Sequence, residues 1–293
     1  MSLTPCEASN ATRFLATFRC QERVNRLTIR LRTTEGEYGD IKLFVLAKVS
    51  PASAKLTTLR VPPLSLHHRQ NEDHKIPDEM SNLRFTGSFT MNQIHEWIST
   101  CLPEVPQKLH QDEVNLVFEN TFVGSTLCCK YRKGEASFDS DSISALAILK
   151  EVITKEATAR KVILQMHFEM NEATIVGYLS KLRPRLDELH AIDVQMNLIE
   201  AIKEIEMQEP DAKSWMCDEY IYILENADTI KNKAIASPGA MTYLTGVLTD
   251  FYMDMNKFRG INVKLLIPKL HQQLQNYQFE SLCAFFMQKV QQS

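Results

Sequence analysis

The spacing of apolar residues changes along the chain, and this change limits the possible folds more than any other feature of the sequence. Up to about residue 80, apolar and polar residues alternate; the run from Asn25 to Arg32 places Leu27, Ile29 and Leu31 on one face. A period of two is typical of a half-buried strand. Further alternating runs lie at 14–20, 40–49 and 55–61. Because no helical period separates them, residues 1–70 are predicted to form a partial antiparallel β-sandwich.

The middle of the chain combines both periods. Residues 71–80 are polar, have no period and contain Pro77, which is typical of a linker. From 81 to 170, alternating strands are separated by two helical patterns; the first follows an N-cap at Thr90, and the second follows candidate caps at 139–141. This order predicts a small α+β domain in which helices cover an antiparallel sheet.

Beyond residue 170 every apolar pattern has the helical period, which predicts an α-helical bundle over 171–293. Pro184 is expected in the first turn of a long helix that reaches about residue 208, and Pro238 at the start of another. The predicted fold class is therefore multidomain α+β: a partial β-sandwich, a linker, an α+β domain and a helical domain.

Charge and motifs exclude several classes of function. The 33 basic and 36 acidic residues give a net charge of -3, so binding of nucleic acid or of an anionic membrane is not expected. Seven cysteines without a C-x-x-C spacing favour reduced thiols over disulfides or a zinc site. No phosphate-binding glycine motif and no G-x-S-x-G motif occurs. We predict no enzyme activity, no cofactor and no metal site.

The N-terminus also lacks a signal-peptide pattern, and no run of about 18 apolar residues occurs. An intracellular, soluble chain is therefore expected.

Two groups of residues are candidates for partner binding. Trp97 could form an aromatic pocket with Phe122 and Tyr131, although ordinary core packing explains the same residues and is favoured. The basic run that ends in Arg132 and Lys133 could dock an acidic peptide, although an exposed strand end is the simpler interpretation.

Specific strings then indicate a family. They are F-L-A-T-F-R-C-Q at 14–21, E-G-E-Y-G at 35–39, P-L-S-L-H-H-R at 63–69, L-P-E-V-P at 102–106, F-E-N-T-F at 118–122, Y-R-K-G-E at 131–135, K-E-A-T-A-R-K at 155–161, R-P-R-L at 183–186 and K-F-R-G-I-N-V-K at 257–264. In order and spacing the chain resembles the C-terminal half of the family of the seventh Bardet–Biedl syndrome protein, whose members are BBSome subunits.

The resemblance implies an ear domain like the γ-adaptin appendage, then a platform domain and a helical domain. Members of this family are not enzymes and need no cofactor. They assemble with other BBSome subunits into a coat-like adaptor, which a small GTPase recruits to membranes and which carries receptors to and from the cilium with intraflagellar transport. The expected locations are the cilium, the basal body or centrosomal region, and the cytoplasm.

The resemblance also sets the expected partners. These are other BBSome subunits and the tails of ciliary receptor cargo, with no nucleic acid and with membrane contact only through the complex. By the same resemblance, we expect this sequence to lack the family's N-terminal β-propeller, the coiled coil used for pairing with a sister subunit, and the first strands of the ear.

An incomplete ear would leave strand edges unpaired, so we hypothesise that upstream chain or a partner completes residues 1–70. The alternative function is a clathrin-adaptor-type appendage that binds short aromatic peptides at Trp97 on its platform domain.

Overall fold

The computed structural model describes residues 4–5, 14–15, 38–47, 53–71, 74–107, 112–209 and 211–288. The chain divides into two compact units, Met1–Thr33 and Thr34–Ser293. In the first unit, strand β1 (Thr4–Pro5) pairs antiparallel with β2 (Phe14–Leu15). The predicted strand at 25–32 lies outside the described residues, as does the predicted strand at 14–20 beyond Leu15. The hypothesis of an incomplete ear therefore stays a prediction.

The first described elements of the second unit are two long antiparallel strands, β3 (Gly39–Ala47) and β4 (Ser53–Val61), whose register runs from Gly39 opposite Val61 to Ala47 opposite Ser53. Strands were expected at both places. The side chains of Phe44, Leu46 and Leu56 are more than half exposed.

Six further strands form one antiparallel sheet, the middle sheet. They are β5 (His67–Arg69), β6 (Ser81–Gly87), β7 (Glu113–Asn120), β8 (Thr126–Arg132), β9 (Glu135–Ser140) and β10 (Leu164–Glu169). Their order is β10-β6-β9-β8-β7-β5, and all neighbouring pairs are antiparallel. Alternation predicted five of these strands with bounds that differ by up to three residues.

The structure differs from the predicted division at β5. Residues up to 70 were assigned to the ear and 71–80 to a linker, but His67–Arg69 pair with Phe118–Asn120 of β7 as the edge strand of the middle sheet. The residue types of this segment are polar, and three residues are too few to show a period, so the sequence gives no strand signal. The middle sheet therefore begins at His67.

Helices α1 (Met91–Cys101) and α2 (Ile143–Ala159) share one hydrophobic core with the middle sheet. The predicted cap of α1 is confirmed: Thr90 and Gln93 form a reciprocal capping box. The cap of α2 is Ser142, one residue beyond the predicted caps, because Ser140 and Asp141 hydrogen-bond to the backbone of Thr126 instead.

The helical domain consists of α3 (Glu172–Gln208), α4 (Asp218–Glu225), α5 (Ala227–Phe258), α6 (Ile267–Gln275) and α7 (Phe279–Met287), with short 3-10 turns at Ala212–Ser214 and Lys264–Leu266. The rings of Tyr178 on α3 and Phe251 on α5 stack with centroids 4.2 Å apart. The first half of α3 shares a core with the second half of α5, and the end of α3 shares a second core with the start of α5. The two long helices therefore run antiparallel. None of the helices in the described part of the chain combines the length and apolarity that crossing a bilayer requires.

Two predicted helix starts are wrong. Pro184 and Pro238 both lie inside continuous helices, α3 and α5, rather than at their first turns. A proline removes one helical N–H donor and leaves the carbonyl four residues earlier without its partner. Pro184 and Ser180 are both exposed, so water can solvate that carbonyl, and the apolar stripe of α3 on the opposite side keeps the helix in place.

Candidate interaction surfaces

Two of the three residues of the predicted aromatic pocket, Trp97 and Tyr131, lie in the hydrophobic core under the middle sheet. The side chain of Trp97 is completely buried, and its ring centroid lies 5.9 Å from that of Phe89. Tyr131 is 2% exposed. Neither side chain is available to a partner in this fold. Core packing, the simpler interpretation, therefore describes both residues.

Tyr131 has a structural role through His95 on α1. The carbonyl of Pro106 can only accept, so the N–H at Nε2 of His95 donates to it at 2.7 Å. In that tautomer Nδ1 of His95 is an acceptor, and the Tyr131 hydroxyl donates to it at 2.8 Å. Burial raises the pKa of the Tyr131 phenol well above its usual range, which keeps this hydroxyl protonated. This chain of hydrogen bonds attaches the segment after α1 to the middle sheet.

Phe122 lies apart from Trp97 and joins the middle sheet to the helical domain. It follows β7, and its ring stands perpendicular to that of Tyr243 on α5, with centroids 4.7 Å apart. The guanidinium carbon of Arg185 on α3 lies 4.0 Å from the centre of the Phe122 ring. Phe122 therefore contacts both long helices.

Phe122 is one joint between the middle sheet and the helical domain, and a second joint between them is ionic. Lys181 on α3 donates to the carboxylate of Asp141 and, at 2.6 Å, to the carbonyl of Gly124. Asp141 also accepts from the backbone N–H of Thr126 at 2.7 Å, and its side chain is only 7% exposed. A carboxylate this deeply buried is stable only with such partners. The sequence reasoning missed this pair, because its members are 40 residues apart and the pair depends on where α3 meets the sheet.

The basic run on β8 is partly neutralised. Arg132 lies on the outer face of the middle sheet and donates from Nε to Glu135 at 2.9 Å, and Arg84 contacts the same carboxylate. These hydrogen bonds, that of Arg132 first, lower the pKa of Glu135. Lys133 is exposed at the β8–β9 turn, where Gly134 has a φ of +77°. The structure therefore brings Arg132 and Lys133 to one exposed sheet end, away from the core that holds Trp97.

An open cleft of about 990 Å³ lies beside α1. It is lined by Arg60, Pro62, Asn92, His95, Glu96, Ser99, Thr100, Leu102, Pro103, Glu104, Val105 and Gln107. Its two carboxylates already have partners: Glu96 accepts from Arg160, and Glu104 accepts from the backbone N–H of Arg69, and these bonds lower the pKa of both. A lowered pKa suits an ionised structural group better than a general acid. Within the described ranges, no three His, Cys, Asp or Glu side chains come together as a metal site would require.

A surface that the sequence reasoning missed lies at the far end of the helical domain. We call residues 204–228, from the end of α3 to the start of α5, the hairpin tip. Its exposed side chains include Met207, Trp215 and Tyr222, with exposed fractions of 86%, 59% and 56%. Trp215 is one of only two tryptophans, but it lies in a polar turn outside any apolar period. The rarity of tryptophan in this chain was therefore the one sequence signal that could have indicated Trp215.

The chain matches three family models in sequence order. They are the BBS7 GAE domain at residues 1–59, the BBS7 platform domain at 67–169 and the BBS7 hairpin at 172–286. The platform model begins at the same residue as β5, and the hairpin model begins with α3.

Two curated relatives are similar to almost the whole chain or most of it. The BBSome complex member BBS7 of Mus musculus is 37% identical over 289 residues, which are 98% of this chain and 40% of that protein. The BBSome complex member bbs-7 of Caenorhabditis elegans is 30% identical over 244 residues, which are 83% of this chain and 33% of that protein. The chain thus spans two fifths or less of the length of these relatives. The fold class of a GAE-like β domain, an α+β domain and a helical domain is confirmed, and the chain belongs to the BBS7 family.

Proposed function

We propose that this chain is a non-catalytic scaffold subunit of the BBSome, within a coat-like adaptor that carries membrane receptors to and from the cilium with intraflagellar transport. The observation that carries the proposal is the similarity over 98% of the chain to the mouse BBSome complex member BBS7. A scaffold role is supported by the two joints, at Phe122 and at the pair of Asp141 with Lys181, because packed aromatic rings and a buried carboxylate hold the middle sheet and the helical domain together.

The proposed partners are other BBSome subunits and the tails of receptor cargo, and the proposed locations are the cilium, the basal body region and the cytoplasm. Membrane contact is proposed only through the assembled complex. The exposed basic sheet end at Arg132 and Lys133 is a proposed contact for an acidic segment of a partner.

The test is affinity purification of the tagged chain from ciliated cells, with the other BBSome subunits quantified by mass spectrometry. Tagged mouse BBS7 in the same cells is the positive control. We expect the other subunits to be recovered with the chain and with a variant of an exposed ion pair, Lys233→Met, and to be reduced for Lys181→Met, which disturbs the buried joint. A folded chain that recovers none of the subunits, when mouse BBS7 recovers them, would overturn the proposal.

The alternative, an appendage that binds aromatic peptides at Trp97, loses its supporting feature because that side chain is completely buried. No other observation on the described residues of the α+β domain favours binding of aromatic peptides.

A further inference from the structure

The hairpin tip exposes large side chains of the kind that dominate protein interfaces. Tryptophan and tyrosine are the residues most enriched at energetically important contact positions, and methionine is enriched at interfaces as well. At the tip, Trp215, Tyr222 and Met207 each expose more than half of their surface.

These exposed side chains are not an unfinished core. A separate apolar cluster lies beneath the tip, formed by residues of the tip and of the adjoining turns of α3 and α5, all less than a tenth exposed: Ile199, Ile202, Ala212, Met216, Ile223, Ala227 and Ile230. Met216, the neighbour of Trp215, is directed into that cluster. The fold therefore buries one side chain of this pair and leaves the larger one in solvent.

Charge defines what could cover the tip. Between Glu204 and Asp228 the sequence has eight carboxylate side chains and one lysine, a net charge of -7, whereas the whole chain has a net charge of only -3. Glu209 and Asp211 precede Trp215 and Asp218 and Glu219 follow it, and all four are exposed. An aromatic side chain within a negative field favours a cationic partner, because Arg or Lys can form ion pairs with the rim and stack on the indole ring.

We propose that the hairpin tip docks a basic amphipathic segment of a partner protein, with apolar or arginine side chains on Trp215 and Tyr222 and with lysine or arginine side chains on the acidic rim. A second copy of this chain is the less suitable occupant, because two tips of the same net charge repel each other. An anionic membrane or a nucleic acid is disfavoured for the same reason. This surface goes beyond the proposed assembly into the BBSome.

The test uses the purified full chain and two fluorescently labelled helical peptides of the same apolar pattern. One peptide is built from lysine and leucine, and the other has glutamate in place of every lysine. Fluorescence anisotropy at low and high salt measures binding. We expect the lysine peptide to bind, the glutamate peptide not to bind, and high salt to weaken the complex because exposed charges are screened.

Variants then locate the site. Trp215→Ala is expected to weaken binding of the lysine peptide by about tenfold or more without changing the circular dichroism spectrum, because an exposed side chain is removed. The matched control is Leu265→Ala, since Leu265 is 91% exposed and lies outside the tip. It should leave binding unchanged. The triple variant Glu209→Gln, Asp211→Asn and Glu219→Gln should weaken binding and reduce its dependence on salt.

Three results would overturn the proposal: equal binding of the two peptides, equal loss of affinity for Trp215→Ala and Leu265→Ala, or concentration-dependent self-association of the chain that Trp215→Ala abolishes. The last result would identify a second copy as the occupant. Because the purified chain is measured alone, none of these results bears on recovery of other BBSome subunits from cells.

Discussion

Lys181 connects the helical domain to the middle sheet through a carboxylate that is almost completely buried. Its ammonium group contacts Asp141 and the carbonyl of Gly124, and the Lys181 side chain is 32% exposed. In a Lys181→Met variant, Asp141 would retain the N–H of Thr126 but would lose its charged partner.

The size of the effect follows from this geometry. Removal of one partner from a fully buried ion pair costs about 3–5 kcal/mol, because a charge is left unpaired. About a third of Lys181 is in contact with water, so solvent can compensate in part. We expect Lys181→Met to lower the free energy of unfolding by about 2–3 kcal/mol, close to the ~1.5–3 kcal/mol of a hydrogen bond to a charged group.

The assay is equilibrium unfolding in urea, followed by fluorescence. Trp97 is buried in the core beneath the middle sheet, and Trp215 is exposed at the hairpin tip. In a Trp215→Phe background, therefore, the emission of Trp97 reports unfolding of the core. The matched control is Lys233→Met, because Lys233 and Glu188 form an exposed pair at 3.2 Å, and exposed pairs contribute less than about 1 kcal/mol.

A second variant separates the effect of the unpaired Asp141 charge from the effect of the changed side-chain shape at position 181. Adding Asp141→Asn to Lys181→Met removes the unpaired carboxylate and keeps an acceptor for the backbone, so it should recover part of the lost stability. The buried pair does not stabilise the fold as expected if Lys181→Met lowers the free energy of unfolding no more than Lys233→Met does, or if the double variant is less stable than Lys181→Met alone.

Three further predictions concern other parts of the second unit. Phe122→Ala removes the ring that contacts both long helices and should lower the free energy of unfolding by about 2–3 kcal/mol, measured by urea unfolding; an unchanged midpoint would contradict the proposed joint. Burial lowers the pKa of His67 to about 4, so the unfolded chain takes up a proton below about pH 6.5 while the folded chain does not. The free energy of unfolding should therefore fall by up to ~3 kcal/mol as the pH decreases from about 6.5 to 4. The variant His67→Asn should make this pH dependence weaker. The control variant His68→Asn, at an exposed position, should not change it. Among the described cysteines, exposed Cys217 should react with a thiol reagent in the native protein, whereas Cys101, whose pKa burial raises to about 12, should react only after unfolding; equal rates, measured by mass spectrometry, would show that the core opens readily.

Five of the six strands of the middle sheet and the start of α1 could be predicted because their signals are local. On β8, alternation places Leu127, Cys129 and Tyr131 in the core and leaves Lys130 and Arg132 exposed. A cap needs only residues within one turn of each other, so its chemistry is readable in the sequence.

At the two prolines inside helices, by contrast, the local sequence predicts the wrong helix boundaries. Pro184 and Pro238 favour helix starts when only neighbouring residues are considered, yet both helices continue through them. Packing of an apolar stripe over many turns stabilises a helix more than one missing hydrogen bond destabilises it. The strength of that packing depends on partners that the local sequence does not contain.

The candidate surfaces depended most on tertiary structure. Of the two tryptophans, Trp97 lies on the apolar face of α1, and this position is the reason it is buried. Trp215 belongs to no such face and is exposed. In this chain, the tryptophan outside any apolar period is the exposed one.

By itself, the sequence determined the succession of β, α+β and helical segments, the small net charge and the membership of a family. Periodicity, composition and ordered strings depend only on the order of residues along the chain. Only the tertiary structure decided that β5 joins the middle sheet, that Lys181 meets Asp141 and that Trp215 stays in solvent. Each of these depends on contacts between residues far apart in the chain, or on their absence. Which distant groups meet is determined by how the elements pack together, because burial of a strand edge, a charge or an indole ring is a property of the assembled fold.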